Sequence, residues 1–284
     1  WRRQHVLQQP EQRRAVEAPV SPRYIDTQRG VFEVPGDKRD RALAAIDAAL
    51  AARRLPVRTI ACIKGQLLAM SWAFGPWSRL RTRGLGHLIE TRRTWSSHLT
   101  VSPAAREDLA FWRDYFDHFN GRRSLWLPTH VHTLMHCDAA GKNKSFPGGW
   151  GAWTVLNGQV VSARGTWDGR ISSFGSTPQE LQAVLNGLRS FQGPAGLEGQ
   201  TIRVMTDNLN AANIINKGSA KADNCYVVAY ELLWYCVERN IRLEAQWVPR
   251  DKNQFADYLS KIQDPDDWAV SDSTFTALSK QWGP

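Results

Sequence analysis

The chain has 284 residues, 42% of them apolar and 10% aromatic, with a formal net charge of +9. Its 13 Trp and 10 Phe exclude a disordered chain, and the length suffices for one large domain or two smaller ones. No apolar run approaches a bilayer span, and the basic start Trp1-Arg2-Arg3-Gln4-His5 lacks the apolar stretch of a secretory signal.

In chain order, residues 1–23 show no clear period, and Trp1 stands where an initiator Met would, so we expect an excerpt of a longer chain. Asp40 to Arg54 predicts a helix, with Leu43, Ile46 and Leu50 at helical spacing and Pro56 as a stop. Arg79, Arg81, Arg83, Arg92 and Arg93 then form a basic stretch interleaved with Trp77 and Trp95. Arginines for phosphate beside flat rings for stacking suit a nucleic-acid backbone; an ordinary solvated surface is the alternative. Ser102-Pro103 opens a further helix with Leu109, Trp112, Phe116 and Phe119 as its apolar stripe, closed by Asn120-Gly121.

The character changes near Trp126. Strands are predicted at Val131–Asp138, Gly149–Leu156 and Gln159–Trp167, the last two joined by an Asn157-Gly158 hairpin turn. A helix from Thr177-Pro178 carries Leu181, Val184, Leu185 and Leu188. Thr201–Thr206 reads as a buried strand, Asn208–Ile215 and Asn224–Arg239 as helices, Ile241–Val248 as a strand. The last predicted helix, Asn253–Ile262, places Phe255, Tyr258, Leu259 and Ile262 inward. The order β-β-β-α-β-α-α-β-α implies an α/β fold with a mixed five-stranded sheet and helices packed on it. Three regions are expected: a basic helical part at 1–125, the α/β domain at 126–262 and a tail at 263–284.

Charge supports that division. Residues 1–125 hold 22 Lys and Arg against 12 Asp and Glu, whereas residues 126–284 hold 14 against 15. A basic part joined to a near-neutral part suits a polyanion held by one and processed by the other. The four cysteines, Cys62, Cys137, Cys225 and Cys236, contain no C-x-x-C pair, so a reducing intracellular compartment, cytoplasm or nucleus, is expected.

Four acids stand where an open α/β sheet places its ligands: Asp138 ending the first strand, Glu180 opening a helix, Asp207 ending the fourth strand, and Asp257 in the last helix. Three have a plainer reading: Glu180 in a capping box with Thr177, Asp207 as an N-cap, Asp257 as a solvated acid; Asp138, following an apolar strand, needs a partner. If the first and fourth strands are parallel neighbours, the carboxylates converge. Two of them about 4 Å apart repel by about 4 kcal/mol at an effective dielectric near 20, so they take up protons or divalent cations. An all-oxygen shell selects Mg²⁺ or Mn²⁺, and a pair of such ions is the clamp for in-line displacement at phosphorus. His130, His132 and His136 share one strand face by alternation, which is weak support for zinc. Gly148-Gly149-Trp150-Gly151 lacks the features of a phosphate loop and reads as a close-packed turn. Asn208 could reach substrate with its amide, and Arg250 could reach a phosphate.

These segments resemble the ribonuclease H domain of retrotransposon reverse transcriptases, particularly the tyrosine-recombinase (DIRS-like) elements. The resemblance rests on His136-Cys137-Asp138-Ala139 with Gly149-Trp150-Gly151-Ala152, on Ser176-Thr177-Pro178-Gln179-Glu180-Leu181, and on Thr206-Asp207-Asn208 with Ala211-Ala212. Trp247-Val248-Pro249-Arg250 follows, with Asn253, Ala256-Asp257 and Leu259-Ser260-Lys261, then Asp266-Asp267-Trp268 and Trp282-Gly283-Pro284. Upstream, Ile25-Asp26-Thr27, Val34-Pro35 with Lys38, and Ile60-Ala61-Cys62-Ile63-Lys64-Gly65 resemble the thumb and connection region, so the likeness spans about 24–284. It implies an RNase H-like fold, a two-metal site on Asp138, Glu180, Asp207 and Asp257, cleavage of the RNA strand of RNA–DNA hybrids, and an upstream polymerase domain of the same polyprotein as partner. A catalytically idle nucleic-acid-binding relic and a DNA-cutting nuclease of the same fold are the alternatives. Three departures stand out. The polymerase Tyr-x-Asp-Asp motif does not occur, the loop Gly141–Pro147 is long, and Asp251 and Lys252 lie where many family members carry a His.

Overall fold

The computed structural model describes residues 24–124, 131–144, 146–192, 196–262, 276 and 278–281. The predicted boundary near Trp126, His130 and most of the tail after Ile262 lie outside them.

The first part follows the order β1 (Tyr24–Asp26), β2 (Val31–Glu33), α1 (Gly36–Ala51), β3 (Arg54–Pro56), α2 (Val57–Ala69), α3 (Ser71–Phe74) and α4 (Trp77–Leu80). It continues through α5 (Arg83–Glu90), β4 (His98–Thr100), α6 (Pro103–Phe119) and β5 (Arg123–Ser124). Helix α6 begins as its sequence dictates: Ser102 Oγ accepts from the Ala105 amide at 3.3 Å and Pro103 occupies the first turn. Helix α1 starts four residues before the predicted Asp40, at Gly36 behind Pro35, and stops at Ala51.

The second part comprises β6 (Thr133–Ala140), β7 (Gly149–Leu156), β8 (Gln159–Thr166), α7 (Gly169–Ser172), α8 (Ser176–Ser190) and β9 (Thr201–Thr206). Then come α9 (Leu209–Lys217), α10 (Asp223–Glu238), β10 (Arg242–Trp247), a 3₁₀ turn at Arg250–Lys252 and α11 (Gln254–Lys261). Strands pair in the order β10-β9-β6-β7-β8. The contacts β10–β9 and β9–β6 are parallel; the β6-β7-β8 meander is antiparallel. This is the mixed five-stranded sheet of an RNase H-like fold. Gly148–Gly151 forms no turn loop: from Gly149 onward the segment is strand β7.

Helices cover both sheet faces, and small residues set how closely they lie. A Cβ on Gly187 of α8 would sit 2.8 Å from Ala152 Cβ, so α8 rests on the face bearing Met135 and Cys137. A Cβ on Gly151 would sit 2.5 Å from Leu259 Cβ and 2.6 Å from the Ser260 amide, so α11 presses onto the opposite face. Ala256, Leu259 and Ser260 therefore point inward, while Phe255 and Tyr258, expected inside, are 42% and 61% exposed. Large rings cannot enter where helix and strand approach over a glycine.

One apolar core runs through the helical part and the sheet part. Arg81 ties them together. Expected on the surface, it is buried between the rings of Phe111 and Tyr230, 4.6 and 5.4 Å from their centroids. Its guanidinium donates to Tyr226 Oη at 2.5 Å and to the Glu107 carbonyl at 2.7 Å, with Asp108 at 3.9 Å. Burial pushes the Asp108 carboxyl up to about 6 although Arg81 pulls against it. Arg81→Lys keeps the charge but removes the planar fork. It is expected to cost about 2 kcal/mol, read as a lower urea midpoint; an unchanged midpoint would show that the fork contributes nothing.

Candidate active site

The site begins with strand pairing. β6 and β9 run parallel with Thr133 opposite Ile202 and His136 opposite Met205. The same offset carries Asp138 to the level of Asp207, the residue that follows β9. Asp138 does not end its strand, which continues to Ala140. Glu180 comes from α8, whose N-cap position is Gly175 with Thr177 inside the first turn, so the capping box does not form. Nor does Asp207 cap α9. Asn208 does, accepting from the Ala211 amide at 3.0 Å, so its carbonyl oxygen is committed to the cap.

Carboxylate oxygens of Asp138, Glu180 and Asp207 lie within 4.8 Å of one another. Asp138 and Glu180 are each only 4% exposed, which places two acids in a poorly solvated spot. Burial first, then neighbouring acids, pushes the Asp138 carboxyl up, although a 2.6 Å hydrogen bond from Ser260 Oγ opposes this. Glu180 is driven well above the carboxylate range by burial and by the charges of Asp138 and Asp207. Thr206 Oγ1, 3.5 Å from Glu180 Oε2, also accepts the Asn208 amide at 3.1 Å, linking helix and strand end. Among the described residues no Lys or Arg forms an ion pair with Glu180 or Asp207.

Asp257 stands apart from that trio. Its carboxylate is held by Arg250 and by Lys261 Nζ. Burial pushes it up, but Lys261 and Arg250 outweigh this and leave it below the usual range. Its charge still reaches Asp138, but it does not join the close group. Arg250, expected to face a phosphate, is committed to Asp257 while 68% of its side chain stays exposed.

The expected basic track divides. Arg79 and Arg93 are exposed, and Arg92 stacks 4.2 Å over the half-exposed Trp95. Arg83, however, donates to the Lys221 carbonyl and to Asp223, joining α5 to the start of α10 as the buried Arg81 does further in. Trp77 offers no stacking face either: it is buried among Phe111, Phe119, Tyr230 and Trp234. The described histidines do not converge on a metal. His132 Nδ1 accepts the Thr201 amide at 2.9 Å, while His136 stacks on Trp153 at 4.5 Å and faces Asn253 Oδ1 at 3.2 Å.

Two buried polar positions beside the acids carry a signal in the sequence. Asn253 is 1% exposed and donates to the Cys137 carbonyl at 2.8 Å; Ser260, equally buried, reaches Asp138. Both lie on the Ala256–Leu259 stripe of α11, and polar residues on an apolar stripe need a buried partner.

A donor set of oxygens alone, crowded and mostly buried, with no Lys or Arg ion-paired to Glu180 or Asp207 among the described residues, fits a hard divalent ion. The five-stranded sheet and the three converging acids define an α/β protein with a carboxylate site where β6 runs parallel beside the end of β9.

The chain is similar in structure to RNase H1 of the halophilic archaeon Halobacterium salinarum NRC-1, at 20% identity, covering 45% of this chain and 93% of that one, with a TM-score of 0.36. It is similar to LC11-RNase H1, isolated from compost and solved with an RNA/DNA hybrid, at 18% identity over 45% and 92% of the two chains, TM-score 0.35. A foamy viral protease-reverse transcriptase in complex with RNA/DNA hybrid shares 14% identity over 90% of this chain and 31% of that one, TM-score 0.33. No family model and no curated protein matches the sequence. No described helix is long and apolar enough to cross a membrane.

Proposed function

We propose that this chain is a ribonuclease H: it hydrolyses the RNA strand of RNA–DNA hybrids with two Mg²⁺ or Mn²⁺ ions, within a retroelement reverse transcriptase of the DIRS-like kind. The observation that carries this is the trio Asp138, Glu180 and Asp207, drawn from three distant segments into one poorly solvated spot. Bound there, divalent ions supply hydroxide from water and charge opposite the leaving 3′-oxygen. The chain's own residues set up the place. Ser260 orients Asp138, and Thr206 faces Glu180. The Trp247 indole donates to the Asp207 carbonyl at 2.9 Å and fixes the backbone that presents its side chain. Asp257, held by Arg250 and Lys261, lies at the edge where an attacking water enters. The exposed Arg79 and Arg93, with the half-buried Arg92, supply charge for the DNA strand of the hybrid, recognised alongside the 2′-hydroxyls of the RNA. An upstream polymerase domain is the partner in this reading, the helical part serves as its thumb and connection, and the site of action is intracellular.

Matched RNA–DNA, DNA–DNA and RNA–RNA duplexes incubated with Mg²⁺ or EDTA test the proposal. Expected is metal-dependent cutting of RNA in the hybrid alone. Salt-sensitive hybrid binding without product would establish the idle relic, and cutting of DNA duplexes a different nuclease.

A further inference from the structure

Strand β10 is an edge of the sheet, with no neighbour beyond it among the described residues. A cleft of about 980 Å³ runs along it, between the strand and the α3–α4 and β5 segments of the helical part. That is near the upper end of the range for small-ligand sites. Among the described residues its charge is one-sided: Arg122, Arg123, Arg203 and Arg242 line it with the carboxylate of Glu244. Glu244 is shared, 3.4 Å from Arg203 and 3.6 Å from Arg242, so it offsets one positive charge of the set. Arg123 donates to the Ser71 carbonyl at 2.8 Å; desolvation and the nearby Arg242 charge hold it below the usual arginine range. Guanidinium groups gathered from separate elements repel one another unless an anion lies between them.

The cleft also has a direction. Trp247 lines it, 48% exposed, and its indole N–H is spent in the ring plane on the Asp207 carbonyl, which leaves a ring face open. A basic groove with an aromatic face is how single strands are held without sequence preference.

We propose that this cleft binds a single nucleic-acid strand, with phosphates on the four arginines and a base on Trp247. An acidic peptide would satisfy the charges but has no use for the open indole face. Strand binding stands on the cleft alone; its leading into the carboxylate site rests on the nuclease reading above.

Binding of a fluorescein-labelled 12-nucleotide oligothymidylate to the full chain in EDTA, followed by anisotropy at several salt concentrations, tests this. The double variant Arg123→Glu with Arg242→Glu is expected to bind at least about tenfold more weakly, with a salt slope smaller by about 2. Trp247→Leu should weaken binding about tenfold without changing the slope. If the double reversal does not melt cooperatively, Arg242→Gln carries the test, with a slope smaller by about 1. Unchanged affinity and slope in the folded variants would overturn the proposal. So would displacement of the oligonucleotide by polyglutamate of equal charge, which would assign the cleft to an acidic peptide. A protein that cuts no hybrid yet binds the oligonucleotide through these residues supports the cleft and overturns the nuclease reading alone.

Discussion

Asp138→Asn is expected to abolish metal-dependent cleavage of the hybrid and, at the same time, to make the metal-free protein more stable at neutral pH. Asn keeps the shape and an acceptor for the Ser260 hydroxyl, so fold and orientation are preserved. What disappears is the negative charge that a divalent ion needs. Lost charge stabilisation of several kcal/mol corresponds to a rate loss of at least about a thousandfold. The gain in stability follows from linkage. Asp138 and Glu180 both titrate above their ordinary values in the folded chain, so that state binds more protons than the unfolded one. Their contribution is fully present below about pH 4, where unfolded carboxylates are protonated. It is lost as pH rises through the raised values. Metal-free protein should therefore unfold more easily at pH 8 than at pH 5, and Mg²⁺ or Mn²⁺ should restore more at pH 8. Asp257 works in the opposite sense: with its carboxyl lowered, its ion pairs weaken only as pH falls below the usual Asp range. Thermal melts of wild type and Asp138→Asn across pH, with and without metal, read both effects. A variant that still cuts at the wild-type rate, or a wild type whose melting is indifferent to metal, would end the carboxylate-site reading.

Gly151→Ala should damage both fold and activity, although it adds a single methyl group. The new Cβ would meet Leu259 Cβ at 2.5 Å, the Ser260 amide at 2.6 Å and the Ala256 carbonyl at 2.7 Å, two of these being backbone atoms that no rotamer can move aside. Helix α11 must lift. Overpacking of this kind costs about 1–3 kcal/mol. Because α11 carries Ser260 and Asp257, a lift of about 1 Å also displaces the groups around Asp138, enough for about a hundredfold loss of rate. Gly158→Ala is the matched control: it lies at the β7–β8 turn with φ of +78° and open space around it, so it strains the backbone without touching the site. Equal activity loss in both variants would show that α11 packing does not position the site.

The elements were largely legible because each announces itself over a few residues. The Asn157-Gly158 turn with the strands it joins and the leucine stripe of α8 are local patterns, and β7 and β9 begin and end at their predicted residues. The inward face of α11 was misread for a physical reason: hydrophobicity ranks Phe255 and Tyr258 above Ala256 and Ser260, while close packing over Gly151 excludes large rings. Arg81 and Trp77 were misread similarly. A basic and aromatic run looks the same whether it faces solvent or a second layer, and here the second layer is α10, with Tyr226, Tyr230 and Trp234.

By itself, then, the sequence determined the order of strands and helices in the second part, short α7 apart, and the acids standing beside them, because period, capping and turn residues act within one or two turns of chain; the short strands and helices α2–α5 of the first part carry no such signal. Only the tertiary structure decided that β6 lies parallel beside β9, and hence that Asp138 meets Asp207, since pairing across 69 positions depends on how the whole sheet closes. It also decided which acids converge and which is held in ion pairs, because charges interact through space and burial rather than along the chain.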